Sequence, residues 1–261
     1  MKLFSYLSVA VLLLSSIALA AYSPDLLSAL IVGLMCIIAL AGCIHGLLPT
    51  ISITGGLLNG QKSIRKASET EGSSAWVAAL QIDRFFQQKT LDGLFEDYRE
   101  KVQHQRETGQ IVSDLDEVLN EDVLALHTWK GVIAQLPGTL TGLGILGTFV
   151  GLLLGLRGIS FVTVEAALGS VQSILAGINT AFYTSIAGVI LSILFNITNN
   201  VLRTIMNRET GLFLEKFHKS VIPTTDEQAR YSSRREVRQI LELLERLPRN
   251  AGNGVLSRET V

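Results

Sequence analysis

Charge is excluded from four long blocks of this chain. No Asp, Glu, Lys or Arg occurs in 3–24, 26–61, 131–156 or 166–202. All 22 basic and 23 acidic residues of the 261 lie outside these blocks. A bilayer core is crossed by about 20 consecutive apolar helical residues. Backbone groups in lipid find no water, so such segments must bond internally as helices. The composition agrees, with 48% hydrophobic and 17% charged residues, where soluble domains carry about 25% charge. These features exclude an ordinary soluble enzyme domain, a disordered chain and a basic nucleic-acid binder, and no nucleic-acid partner is expected. What remains is an all-α polytopic membrane protein with a charged soluble part, its bulk partner the lipid bilayer.

Four transmembrane helices are expected. Residues 3–22 and 26–48 form an outer hairpin (1–48) around the tight turn Ser23-Pro24-Asp25. The inner pair (137–198) comprises 137–157, opening on Pro137, and 171–198. Proline suits a first helical turn, where its missing N–H costs nothing. The last span would run about 42 Å, so it must tilt or emerge. Lys2, the apolar run and Ala18-Leu19-Ala20 also fit a cleaved leader. A run that fills a whole span, followed at once by another, favours a retained hairpin. Leu40-Ala41-Gly42-Cys43 looks like a lipidation box but lies behind the first span.

Basic residues orient the helices. One is Lys2, nine lie in 62–130, one is Arg157 and eleven lie in 203–258. The loops 23–25 and 158–170 hold none. Both termini, a helical domain over 49–136 and the C-terminal part 199–261 are therefore expected in the cytoplasm. Within them, 49–60 reads as a connector. Trp76, Leu80, Asp83, Phe86, Leu94 and Tyr98 suggest a helix from Ser73, with a break at Gly109. A second helix is expected from Ser113, capped with Asp116 and striped by Leu115, Val118, Leu119, Val123, Leu126 and Trp129. Residues 201–219 continue the fourth span. Pro223 breaks it, 226–247 reads as another amphipathic helix and 249–261 as disordered. Cys36 and Cys43 are too far apart on one helix to bridge and read as packing residues. No metal spacing surrounds His45.

The inner spans carry the most information. Gly142-Leu-Gly-Ile-Leu-Gly147 matches the dinucleotide fingerprint only formally, because no strand precedes it and no aqueous helix start exists. Small residues that let helices approach closely explain it better. Gly147, Gly151 and Gly155 recur every four residues, and Gly144, Thr148, Gly151 and Gly155 make one stripe. Ala181, Ser185, Gly188 and Ser192 repeat that stripe on the fourth span. Each stripe has one central hydroxyl, Thr148 or Ser185, the candidate ion-path residues. The glycines, with Ala181, Gly188 and Ser192, are candidates for packing a partner helix. Membrane ion relays normally use an ionisable group such as a carboxylate, and no span here holds a carboxylate. A second protein should supply it. Ser185 lacks the Gly-x-Ser-x-Gly elbow of a serine hydrolase, so no enzyme is expected.

Gly144-Ile-Leu-Gly-Thr-Phe-Val-Gly151 after Pro137, then Gly177-Ile-Asn-Thr-Ala-Phe-Tyr-Thr-Ser-Ile-Ala-Gly188, resembles the MotA/TolQ/ExbB proton-channel family. Thr148 falls on the first segment's threonine. Ser185 falls on the second's, a departure that keeps the hydroxyl. The specific likeness covers 137–196. It implies a ring of five such subunits around two copies of a single-span partner of the MotB/ExbD/TolR kind, whose membrane Asp takes up and releases a proton or sodium ion. No cofactor is implied beyond that transported ion. Four spans, the Gly-Thr motif and a helical C-terminal extension are most similar to the ZorA motor subunits of Zorya anti-phage defence. On that likeness, 226–261 would begin a longer tail. A flagellar stator, a TolQ/ExbB-type energy transducer and a non-conducting scaffold are the alternatives.

Overall fold

The computed structural model describes residues 2–71, 82–107, 113–157, 159 and 163–220, with isolated positions 233, 237 and 240. It is all-α. The outer hairpin is α1 (Lys2–Ala21) and α2 (Leu26–Gly42), the latter passing through a π turn (Cys43–Leu47) into α3 (Leu48–Glu71). Next come α4 (Lys89–Glu107), a 3-10 turn (Leu115–Glu117) and α5 (Glu121–His127). Two long helices finish the described chain, α6 (Lys130–Leu156) and α7 (Val164–Ser220). Three helical segments among the described residues are long and apolar enough to cross a membrane: Leu26–Lys66, Leu115–Leu156 and Val164–Lys219. Ser5–Ala21 is a shorter apolar helix.

Asp25 starts α2. Its carboxylate accepts the Ser28 N–H at 2.7 Å, and the Ser28 hydroxyl closes the reciprocal capping box, satisfying two of the donors that a helix start leaves open. The sequence suggests a span ending at 48 and a connector over 49–60. Instead the helix continues through Pro49. Proline lacks an N–H and crowds the carbonyl four residues back. The turn just before it widens, and the Leu48 N–H donates to the Cys43 carbonyl, five residues back. Thr50 and Thr54 hydroxyls donate to carbonyls four residues earlier, each at 2.8 Å. The turn thus absorbs the proline without ending the helix.

Pro137 is likewise interior. α6 begins at Lys130, two turns before it, and not at the proline. The expected single helix from Ser113 is broken into three pieces. Asn120, not Ser113, caps α5, accepting the Val123 N–H at 2.9 Å. Trp129, at φ 50° and ψ 40°, bends the chain into α6. Of the expected stripe, Leu115 and Leu119 are buried, whereas Leu126 and Trp129 are exposed. Phe86 is not helical. Arg84 and Gln87 have φ of 51° and 53°, turning the chain on either side of it. The Asp92 carboxylate holds that turn by accepting the Phe86 and Gln88 N–H groups at 2.7 and 3.0 Å. The readings at Trp76, Leu80, Gly109, Pro223 and 249–261 lie outside the described residues. Within 226–247 only Ser233, Val237 and Ile240 are described, all helical.

Two cores stack along α7. The upper one joins Leu12, Met35, Cys43, Leu140, Leu191 and Phe195 from α1, α2, α6 and α7. Cys43 is buried there as a packing residue, and Cys36 donates to the Ser16 carbonyl at 3.2 Å. The lower core is aromatic. Phe85 stacks on Phe95 with ring centroids 4.6 Å apart, and Phe86 meets Phe213 at 4.9 Å. α7 runs 57 residues without a break, about 85 Å of helix. One element therefore carries both cores.

Candidate functional site

Among the described residues, α6 and α7 approach backbone to backbone along an antiparallel seam. A Cβ on Gly151 would lie 2.9 Å from the Ala181 nitrogen and from the Gly177 carbonyl oxygen. On Gly155 it would lie 3.0 Å from Gly177 Cα, and on Gly144, 3.3 Å from Gly188 Cα. On Gly177 it would come 2.5 Å from the Gly151 oxygen. These contacts are to backbone, which cannot swing aside, so only glycine allows this packing.

The small stripes therefore close on each other within one chain. Gly144, Gly147, Gly151 and Gly155 are all buried, against Gly177, Ala181, Thr184 and Gly188 of α7. That α7 stripe is rotated from the one chosen on spacing. Gly188 and Ala181 belong to both stripes, but Thr184 replaces Ser185, and Gly177 rather than Ser192 completes it. Within the chain, α7 itself packs against these glycines.

The hydroxyls divide into three kinds. Thr184 is fully buried and donates to the Thr180 and Ala181 carbonyls at 2.9 and 3.1 Å. Thr148 is half-buried. It donates to the Gly144 carbonyl at 3.1 Å and across the seam to the Ala181 carbonyl at 3.3 Å. Ser185 is half-buried at the edge, and its carbonyl oxygen lies 3.3 Å from where a Gly144 Cβ would be. Ser192 is half-buried further along. Pro137 sits at the far end of α6, its carbonyl accepting the Thr141 hydroxyl at 3.2 Å.

Sequence reasoning missed Thr180 and Thr184, whose signal was a second i, i+4 pair of hydroxyls in the fourth block. It also missed Asp25. That carboxylate lies in the outer turn, yet it accepts a hydrogen bond from Thr180, one helical turn from Thr184. The Tyr183 hydroxyl donates nearby to the Leu19 carbonyl. The turn of the outer hairpin therefore packs against Thr180 and Tyr183 of α7. Burial alone would push the Asp25 carboxyl up. Hydrogen bonds from Ser28, Thr180 and the Leu27 backbone outweigh it and hold the group below the ordinary carboxylate value.

Among the described residues no three His, Cys, Asp or Glu side chains form a metal-binding group. The arrangement is a tightly packed helix pair with hydroxyls at its edge.

Comparison with known proteins gives this geometry a family. A Zorya protein ZorA of Escherichia coli (strain Crooks) is 42% identical over 60 residues, 23% of this chain and 10% of that protein. A second Zorya protein ZorA, from an ETEC strain of Escherichia coli, is 37% identical over 99 residues, 38% of this chain and 13% of that protein. The alignments thus span about an eighth or less of these much longer relatives. The family model described as anti-phage protein ZorA, Zorya type I system, matches residues 11–221. That range runs from α1 to the end of α7 and contains the whole glycine seam. This multi-pass membrane chain belongs to the ZorA-like family of Zorya type I anti-phage systems.

Proposed function

We propose that this chain is the channel-forming subunit of an ion-driven rotary motor in the bacterial inner membrane, serving anti-phage defence. Four spans cross the bilayer, with both termini in the cytoplasm. Five copies form a ring around two copies of a single-span partner. That partner carries the membrane Asp that takes up and releases a proton or sodium ion. The observation carrying this reading is Thr148, whose half-buried hydroxyl sits on the edge of a glycine seam in a ZorA-family chain. Because α7 occupies the glycines themselves, the partner helix meets the seam's rim, where Thr148, Ser185 and Ser192 are half-buried. Oriented hydroxyls can replace part of an ion's hydration shell without a charge of their own.

The test is ion flux into vesicles holding the chain and its single-span partner. Thr148→Val and Ser185→Ala should each abolish flux while the assembly stays intact. Full flux in both variants would remove the path assignment. Assembly without any partner-dependent flux would leave a non-conducting scaffold.

A further inference from the structure

A cavity of about 270 Å³ lies between α2 and α6, where both helices are irregular. Ala41 and His45 line one wall, Trp129, Val132 and Leu136 the other. The two irregularities create it. The π turn Cys43–Leu47 faces the left-handed Trp129, and the His45 and Trp129 rings stand 6.2 Å apart. The floor is sealed. A Cβ on Gly42 would be 2.4 Å from Leu136, and one on Gly46 would be 2.6 Å from Ile133. Gly42 and Ile133 are buried, whereas Ala41, His45, Trp129 and Val132 are exposed. The cavity therefore opens outward, away from the bundle.

The surface around that opening is apolar. Ile37, Leu40 and Ile44 on α2 are 65%, 45% and 50% exposed. In a membrane-spanning helix this surface faces hydrocarbon. Water holds a cavity only where two or more polar groups bind it, and these walls are almost wholly apolar. The volume falls short of the roughly 300–1,000 Å³ of drug-sized sites, so it suits a linear segment rather than a compact molecule. An indole and an imidazole at the rim mark the depth where amphipathic rings settle at a membrane interface. We propose that this cavity binds an acyl chain of a phospholipid from the leaflet on the side of α3 and α4. The site is continuous with the lipid-facing surface of α2 and lies apart from the α6–α7 seam.

The test uses the full chain in its membrane assembly, extracted gently and weighed by native mass spectrometry. Wild type should retain phospholipid on each protomer. Ala41→Phe, which fills the cavity from its open wall, should lose it. Leu34→Phe, on an exposed part of α2 outside the cavity, should keep it. As a second reading, with Trp76→Phe leaving Trp129 the sole tryptophan, vesicles of acyl-brominated phosphatidylcholine should quench Trp129. Ala41→Phe should reduce that quenching and Leu34→Phe should not. If Ala41→Phe fails to assemble, Val132→Phe fills the opposite wall. Equal retention and quenching in filled and control variants would overturn the proposal. So would efficient cross-linking of the Ala41→Cys variant to a second copy of the chain, which would mean that a neighbouring subunit covers the cavity.

Discussion

The Thr148 hydroxyl bonds its own helix at Gly144, 3.1 Å away, and also spans the seam to the Ala181 carbonyl at 3.3 Å. One side chain thus reports on both local helix geometry and helix pairing. Thr148→Val keeps the shape and removes both bonds. Cross-helix hydrogen bonds in membranes average about 0.6 kcal/mol, so the variant should melt close to wild type in detergent, and Thr148→Ser closer still. A loss of ion flux far larger than this stability change would separate function from folding.

Gly151 and Gly142 lie on opposite faces of α6. Gly151 meets backbone at 2.9 Å, and Gly142 has nothing within 4 Å of its would-be Cβ. Gly151→Val should push the helices apart and cost about 1–3 kcal/mol or more, the range for overpacking. Gly142→Ala should stabilise by up to about 1 kcal/mol through helix propensity. Thermal unfolding of the extracted protein distinguishes them, and equal effects would contradict the seam.

Asp25 both caps α2 and accepts from Thr180. Asp25→Ala should cost about 1 kcal/mol as a lost cap. Its folded carboxyl sits below the ordinary value of 3.8. The stabilisation is therefore present above that value and disappears as the pH falls through the folded value. Melting of wild type relative to Asp25→Asn should show a gap at neutral pH that closes only in strong acid.

Glu209 is 3% exposed, held by Gln61 Nε2 at 3.2 Å and Arg208 Nη2 at 2.9 Å. Gln61→Leu leaves a buried carboxylate oxygen without its donor and should cost about 1–3 kcal/mol. Adding Glu209→Leu removes the orphaned group and should recover most of that loss. Chemical denaturation of the two variants tests the pairing between α3 and α7.

The helices and the close-packed glycines were legible because charge exclusion and four-residue spacing are strong periodic signals. The facing of the fourth block was not. Ala181-Ser185-Gly188-Ser192 and Gly177-Ala181-Thr184-Gly188 share the same i, i+4, i+7, i+11 spacing and differ by a small rotation. Only packing chooses between them, and Gly151 against Gly177 chooses the second. Pro49 and Pro137 were read as boundaries because isolated helices break there. In the bundle, a widened turn or a Thr hydroxyl accompanies each proline, and the surrounding helices hold it. Phe86 kept the helical period by coincidence, while the turn around it depends on non-glycine left-handed residues that no spacing announces. Asp25 was legible as a turn residue but not as a neighbour of Thr180, a contact 155 positions away in sequence.

The unbroken α7 has a mechanical consequence. Among the described residues, the irregular turns next to the long helices lie elsewhere, at Cys43–Leu47 and at Trp129. α7 has no joint between Thr184 in the seam and Phe217 in the aromatic core. Those residues stand about 50 Å apart along the axis. A lever of that length turns a tilt of about 5° at one end into about 4 Å of travel at the other. Small rearrangements beside the seam are thereby geared up at the far end.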